Sequence, residues 1–282
     1  MLHEGYLNNI YYRYWQVDKQ DNAIANVFAI HGLGGHCIWF DSAGVLFNKR
    51  NINLFSFDLP GFGQTKYPKG TVSSYYVWLN ETKETLEKFL VQFNVKEPVF
   101  ILGHSLGALL AILLSKNVKA NGWILSVPGF EGEKETWPFF DFIVPVLLKG
   151  IFKPDENITM PFGPELLSKN KETQLKVKKD PYRVITPSAQ IFKHVYFLSR
   201  KTKSLHNLPR EPVLMLLAGE DKVCSNSVME DYFNRLTIKD KCKKIYTNSF
   251  HDLFIEDELN QIVNDISVWI TEHLTAFTKR SN

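Results

Sequence analysis

The sequence predicts an α/β protein: a mostly parallel central sheet with helices on both faces, an antiparallel hairpin at its N-terminal edge and a helical insert late in the chain. Two patterns carry this. Apolar, strand-like runs at residues 27–30, 54–57, 99–102, 123–127, 213–217 and 244–247 alternate with segments of helical character at 73–93, 106–116, 227–236 and 256–277. Strands apolar along their whole length need cover on both faces, as in a parallel sheet between helix layers. Between Pro128 and Asn207 the alternation stops and eight prolines appear.

Segments 4–8 and 10–17 read as the hairpin, with Asn8-Asn9 making the turn and Tyr11-Tyr12-Arg13-Tyr14-Trp15 supplying β-formers. The run at 27–30 ends in the glycine-rich His31-Gly32-Leu33-Gly34-Gly35; a dinucleotide fingerprint starting at Gly32 would need glycine where Cys37 stands. The run at 54–57 leads into Asp58-Leu59-Pro60-Gly61-Phe62-Gly63, a tight turn in which Asp58 can hydrogen-bond. After 99–102 comes Gly103-His104-Ser105-Leu106-Gly107, followed by the helix-forming Ala108-Leu109-Leu110-Ala111. The prolines from 128 onward end helices and exclude inner strands, leaving short helical pieces such as 190–198. The chain therefore divides into a core of residues 1–127 and 207–282 and a helical cap of 128–206.

The 282 residues, 44% of them hydrophobic, are ample for one large core, and a net charge of +3 is too mild to imply nucleic acid. Cys37, Cys224 and Cys242 lack metal-ligand spacing and read as packing or incidental thiols in a reducing compartment, so no metal or other cofactor is expected. The N-terminus has no secretory pattern and no apolar run spans a bilayer, which points to the cytoplasm.

Gly103 to Gly107 reads as a nucleophile elbow, a strand-to-helix turn that projects a serine oxygen above the sheet. A serine hydroxyl is a weak nucleophile, so it needs a histidine base oriented by a carboxylate. On such a scaffold the acid and then the histidine follow the serine in the chain. Of His194, His206, His251 and His273, His251 fits because it lies just past a predicted strand, at the carboxyl edge of the sheet. Asp221, in the turn after 213–217, is the favoured acid; Glu220 competes from the next position, and Asp252 would have to fold back on His251. An oxyanion needs two backbone donors, and the amides of Leu106 and Leu33 are the candidates.

With these residues placed, the chain resembles the α/β-hydrolase superfamily over nearly its whole length. Within it the resemblance is to capped serine hydrolases that include monoacylglycerol lipases, lysophospholipases and related carboxylesterases. It rests on His31-Gly32-Leu33-Gly34, Asp58-x-x-Gly61-x-Gly63, Gly103 to Gly107, Gly219-Glu220-Asp221-Lys222-Val223, and His251 with Glu256 after it. Pro60 stands where lipase-like members commonly have arginine, and Asp-x-Pro-Gly is commoner in branches cleaving smaller esters or carbon–carbon bonds. The resemblance implies a serine esterase acting on acylglycerols or lysophospholipids. Small-ester, thioester or carbon–carbon hydrolysis, acyl transfer, and a ligand receptor on the same fold are the alternatives.

Trp137-Pro138-Phe139-Phe140, the apolar run at 142–148 and Ile151-Phe152 give the insert an aromatic stretch. It either packs the cap onto the core or lines an acyl pocket and touches a membrane surface. Lys169, Lys171, Lys176, Lys178 and Lys179 read as a solvated helix face beside it, positioned to attract anionic lipid.

Overall fold

A computed structural model of the chain describes residues 1–18, 22–96, 98–208 and 211–278, with side chains described to residue 274. Eight strands form one sheet: β1 (Leu2–Leu7), β2 (Ile10–Trp15), β3 (Ala25–Ile30), β4 (Ile52–Phe57), β5 (Val99–His104), β6 (Gly122–Ser126), β7 (Val213–Ala218) and β8 (Lys241–Tyr246). Their spatial order is β1-β2-β4-β3-β5-β6-β7-β8. β1 pairs antiparallel with β2, and β2 with β4; every other pairing is parallel.

The helices are α1 (Asp41–Asn48), α2 (Tyr75–Gln92), α3 (Leu106–Leu114), α4 (Val144–Phe152), α5 (Pro164–Leu167), α6 (Lys171–Lys179), α7 (Ala189–Lys203), α8 (Asn226–Arg235) and α9 (Leu259–Thr278). The step from β3 to β4 runs toward the hairpin edge, whereas the steps β4 to β5, β5 to β6 and β7 to β8 run the other way. Right-handed crossovers therefore put α1 on one face and α2, α3 and α8 on the other. α9 packs beside α1 and closes the first face. This reversal beside β3 is a topological switch point, where the loops leaving β3 and β5 splay apart at the carboxyl ends of the strands and leave a crevice.

Strands β3, β4 and β7 are buried at every position, as their largely apolar sequences require. Buried polar groups inside them are paired: Asn53 donates to Asn26 Oδ1 at 3.0 Å, and Ser56 Oγ to the Ala29 carbonyl at 3.1 Å. α3 is buried all round, because the sheet lies on one side of it and α2 and α7 cover the rest.

Three elements differ from the sequence expectation. The last strand begins at Lys241, three residues before the expected 244, because it is an edge strand bonded only to β7, and its lysines, half-buried and paired, break the apolar run. α9 begins at Leu259 rather than near 256, because the Glu256 backbone is extended, at φ −92° and ψ 162°, after a short turn at Leu253–Ile255. α1 has no counterpart among the expected helices; with eight residues it is too short for a clear helical period. The segment between β6 and β7 holds α4 to α7 and contains no strand among its described residues. It departs through Val127, whose φ of 38° is unusual for a β-branched residue, and Pro128.

Candidate active site

Ser105 sits between β5 and α3 with φ 53° and ψ −111°, a strained conformation of the kind that costs about 1–3 kcal/mol and persists only where the surroundings hold it. They do: its amide donates to the Ser126 carbonyl on β6 at 2.9 Å, and its own carbonyl accepts from Ala108 N at 3.1 Å. The elbow also needs close backbone approach, since a Cβ on Gly107 would stand 2.1 Å from the Ile30 carbonyl oxygen and one on Gly103 would stand 2.3 Å from that of Gly107.

The loops after β7 and β8 bring the expected partners to this serine. Ser105 Oγ lies 3.1 Å from His251 Nε2, and His251 Nδ1 lies 2.8 Å from Asp221 Oδ2. The other oxygen of Asp221 accepts from the amides of Val223 (2.8 Å) and Cys224 (2.9 Å), so the carboxylate is held on both sides. This arrangement keeps the imidazole proton on Nδ1 and leaves Nε2 to accept from the serine hydroxyl. Burial of His251, 3% exposed, works to lower its pKa; the charge and hydrogen bond of Asp221, with Asp252 nearby, outweigh that and hold it above the ordinary value. Glu220, the competing acid, turns outward to pair with Lys169.

Leu33 occupies the second position of a turn closed by Gly35 N donating to the Gly32 carbonyl at 3.2 Å, with Gly34 at φ 79° supplying the left-handed third position. In such a turn the amide of the second residue has no bond within the turn. Leu106 is the first residue of α3, where helical amides likewise lack in-helix acceptors. Both residues border the same cavity as Ser105. His31 fixes the turn: its Nδ1–H donates to the Gly32 carbonyl at 2.8 Å and its Nε2 accepts from Leu59 N at 2.9 Å. Burial drives the His31 pKa down to about 4, which suits a neutral ring with one donor and one acceptor. Asp58 ties the neighbouring loops together, accepting from Cys37 N and Gln64 N at 2.7 Å each. The Cys37 and Cys224 thiols are buried, and burial pushes both pKa values well up, in keeping with packing roles.

Three carboxylates near the site make contacts that the sequence did not announce. Asp180 of the insert accepts from His36 Nε2 (2.7 Å) and Trp39 Nε1 (2.8 Å) in the segment leading to α1. Glu256 accepts from Phe250 N at 2.6 Å, Ser168 Oγ at 2.9 Å and Lys169 N at 3.1 Å, joining the histidine loop to the insert. Asp252, whose amide donates to the Leu167 carbonyl at 2.9 Å, is buried with its carboxylate 3.5 Å from His104 Nε2, and burial raises its pKa to about 6.

Above Ser105 lies a cavity of about 490 Å³, walled from the core by Leu33, Leu106 and Leu109 and from the insert by Trp137, Phe142, Val146, Phe162 and Phe192. The Trp137-Pro138-Phe139-Phe140 stretch thus divides. Trp137 packs inward, its Nε1 donating to the Val223 carbonyl at 3.0 Å, while Phe140 is 80% exposed. No group of acidic, histidine or cysteine side chains able to hold a metal occurs among the described residues.

A family model described as serine aminopeptidase, S33, matches residues 21–258. The chain belongs to this family. Monoglyceride lipase of Rattus norvegicus is 24% identical to this S33 member over 273 residues, 94% of this chain and 88% of the rat protein. Phospholipase YtpA of Bacillus subtilis is 23% identical over 252 residues, 86% of this chain and 94% of that protein. Among solved structures, a soluble variant of the Saccharomyces cerevisiae monoglyceride lipase, in complex with a substrate analog, matches with a TM-score of 0.86 at 21% identity, covering 97% of this chain and 95% of that one. This S33 protein is an α/β-hydrolase of the monoacylglycerol lipase-like kind and a serine hydrolase.

Proposed function

We propose that this S33 hydrolase cleaves carboxylic esters of monoacylglycerol or lysophospholipid type through Ser105, His251 and Asp221. The observation that carries the reading is the 3.1 Å and 2.8 Å hydrogen-bond chain from Ser105 through His251 to Asp221, opening onto an apolar cavity of about 490 Å³. His251 Nε2 takes the hydroxyl proton as Ser105 Oγ attacks the ester carbonyl, and the Leu33 and Leu106 amides receive the oxyanion. Collapse of the tetrahedral adduct breaks the acyl–oxygen bond, and His251 gives its proton to the departing alcohol. A water deprotonated by the same imidazole attacks the acyl-enzyme and releases the fatty acid. Asp221 holds the tautomer and stabilises the transient imidazolium. No cofactor takes part.

The apolar walls accept the acyl chain, and residues 128–206 form the cap that supplies most of them. The cap also presents Phe140, Ile151 and Phe152 to solvent, Phe152 at 77% exposure, beside Lys149 and Lys153. We read this face as a peripheral contact with the membrane that holds the substrate. No helix among the described residues is long and apolar enough to cross a membrane. The free thiols fit the cytoplasm.

The test is turnover across monooleoylglycerol, lysophosphatidylcholine and a short aryl ester, with fluorophosphonate labelling of wild type and Ser105→Ala. Labelling and hydrolysis of a long-chain ester, both lost in Ser105→Ala with the fold intact, support the proposal. Labelling without hydrolysis of any long-chain ester overturns the substrate class. Turnover retained in Ser105→Ala overturns the nucleophile.

A further inference from the structure

A second site lies on the insert, on the far side of Phe162 from the cavity above Ser105. Phe162 is the common wall: it borders that cavity and also a groove of about 740 Å³ whose polar lining, set among apolar residues, is Thr159, Glu165, Lys171, Gln174, Lys178 and Arg183. At the centre of interest is Arg183, 7% exposed, whose Nη2 is buried and has no hydrogen-bond partner among the described residues.

A guanidinium taken out of water without an acceptor is costly, by several kcal/mol in general, and proteins seldom retain one without a use. The two nearest carboxylates do not satisfy it. Asp180 is committed to His36 and Trp39, and Glu165 accepts from the Gly163 amide at 3.2 Å; neither forms an ion pair with Arg183. Burial lowers the Arg183 pKa somewhat, yet a guanidinium remains charged at any working pH. Two further cations face the groove from α6. Lys171 is exposed and donates to Gln174 Oε1 at 3.2 Å, and Lys178 is exposed; neither has an ion-pair partner among the described residues.

We propose that this groove binds a phosphate-type dianion, with the Arg183 guanidinium as its buried anchor and Lys171 and Lys178 closing over it. The lining of the groove carries three cations against one carboxylate, an excess that favours an anion. The planar fork of arginine suits two oxygens of one phosphate, and flexible lysines complete the charge. Such a group comes either as free phosphate or as the headgroup of a lipid such as phosphatidic acid.

The position gives the site a consequence. The residue after Arg183, Val184, donates its amide to the Gly34 carbonyl at 3.0 Å, in the turn that carries Leu33. An anion on Arg183 is therefore one backbone bond from that turn.

The site stands apart from the hydrolytic reading, and each measurement here detects binding rather than turnover. Inorganic phosphate titrated into the full chain should bind saturably by calorimetry and raise Tm by about 3 °C at ten times Kd. Arg183→Met should abolish both responses while leaving the ligand-free Tm unchanged or higher. The exposed Lys178→Gln, which carries no risk to folding, should weaken binding several-fold. In the lipid arm, vesicles of phosphatidylcholine with and without phosphatidic acid are sedimented with the protein. Extra binding to phosphatidic acid that Arg183→Met removes assigns the headgroup as the source, and phosphate binding without it assigns free phosphate. Absence of saturable phosphate binding in the wild type, or binding that survives both substitutions, overturns the site.

Discussion

His251 Nδ1 donates to one oxygen of Asp221 at 2.8 Å, while the other oxygen of Asp221 is already held by the Val223 and Cys224 amides. The carboxylate is oriented by backbone before the histidine reaches it. Asp221→Asn keeps one acceptor oxygen for those amides but offers an N–H toward Nδ1, which favours the wrong tautomer. We expect kcat to fall by about 10⁴ with Tm little changed, measured as steady-state turnover of a short aryl ester.

Asp252 should act on His251 through charge. His251 must be neutral to accept the serine proton, so activity is lost as pH falls through its pKa, which lies above 6.5. Asp252→Asn removes one of the charges that raise it. The acidic limb of the kcat/KM profile is expected to move to lower pH, with the plateau within about threefold of wild type.

Asp180 is held down to about 2 against an ordinary 3.8; burial opposes this, but the hydrogen bonds from His36 and Trp39 and the Tyr182 amide outweigh it. A depressed carboxyl contributes stability that is complete above 3.8 and fades as pH falls through about 2. Asp180→Asn should cost about 2 kcal/mol at neutral pH. In urea titrations the gap between the two proteins should be full at pH 5 and narrower near pH 3.

Gly107→Ala tests the elbow sterically. A Cβ there would lie 2.1 Å from the Ile30 carbonyl oxygen and 2.8 Å from that of His31, both backbone atoms. The loss should be about 4 kcal/mol or more, seen as a collapse of soluble yield or of Tm.

Val146 lines the cavity from α4 and is buried. Val146→Trp should shift the acyl-chain preference toward shorter chains and cut turnover of the longest ones about tenfold or more, with a short aryl ester within about threefold of wild type. A chain-length series measured at fixed pH checks this; an unshifted profile would place the acyl chain elsewhere.

Much of this protein is written in short stretches of sequence. The largely apolar runs of β3, β4 and β7 demand burial on both faces, and Gly103-x-Ser105-x-Gly107 between a strand and a helix former leaves the backbone few other shapes. Both are local: side-chain periodicity and hard-sphere contact act over a few residues. α1 was hidden because eight residues carry too little periodicity, and β8 was displaced because an edge strand trades apolar character for lysine.

The chain order of serine, acid and histidine narrowed the partners of Ser105, but only the tertiary structure decided that His251, 146 residues away, stands 3.1 Å from it and that Glu220 turns outward. The same holds for Asp180 with His36, which are 144 residues apart, and for Arg183, whose buried Nη2, without a hydrogen-bond partner among the described residues, no neighbouring residue announces. Local sterics set strands, turns and helices through contacts a few residues long. Which charged side chains then meet depends on where distant loops are carried by the sheet and the insert.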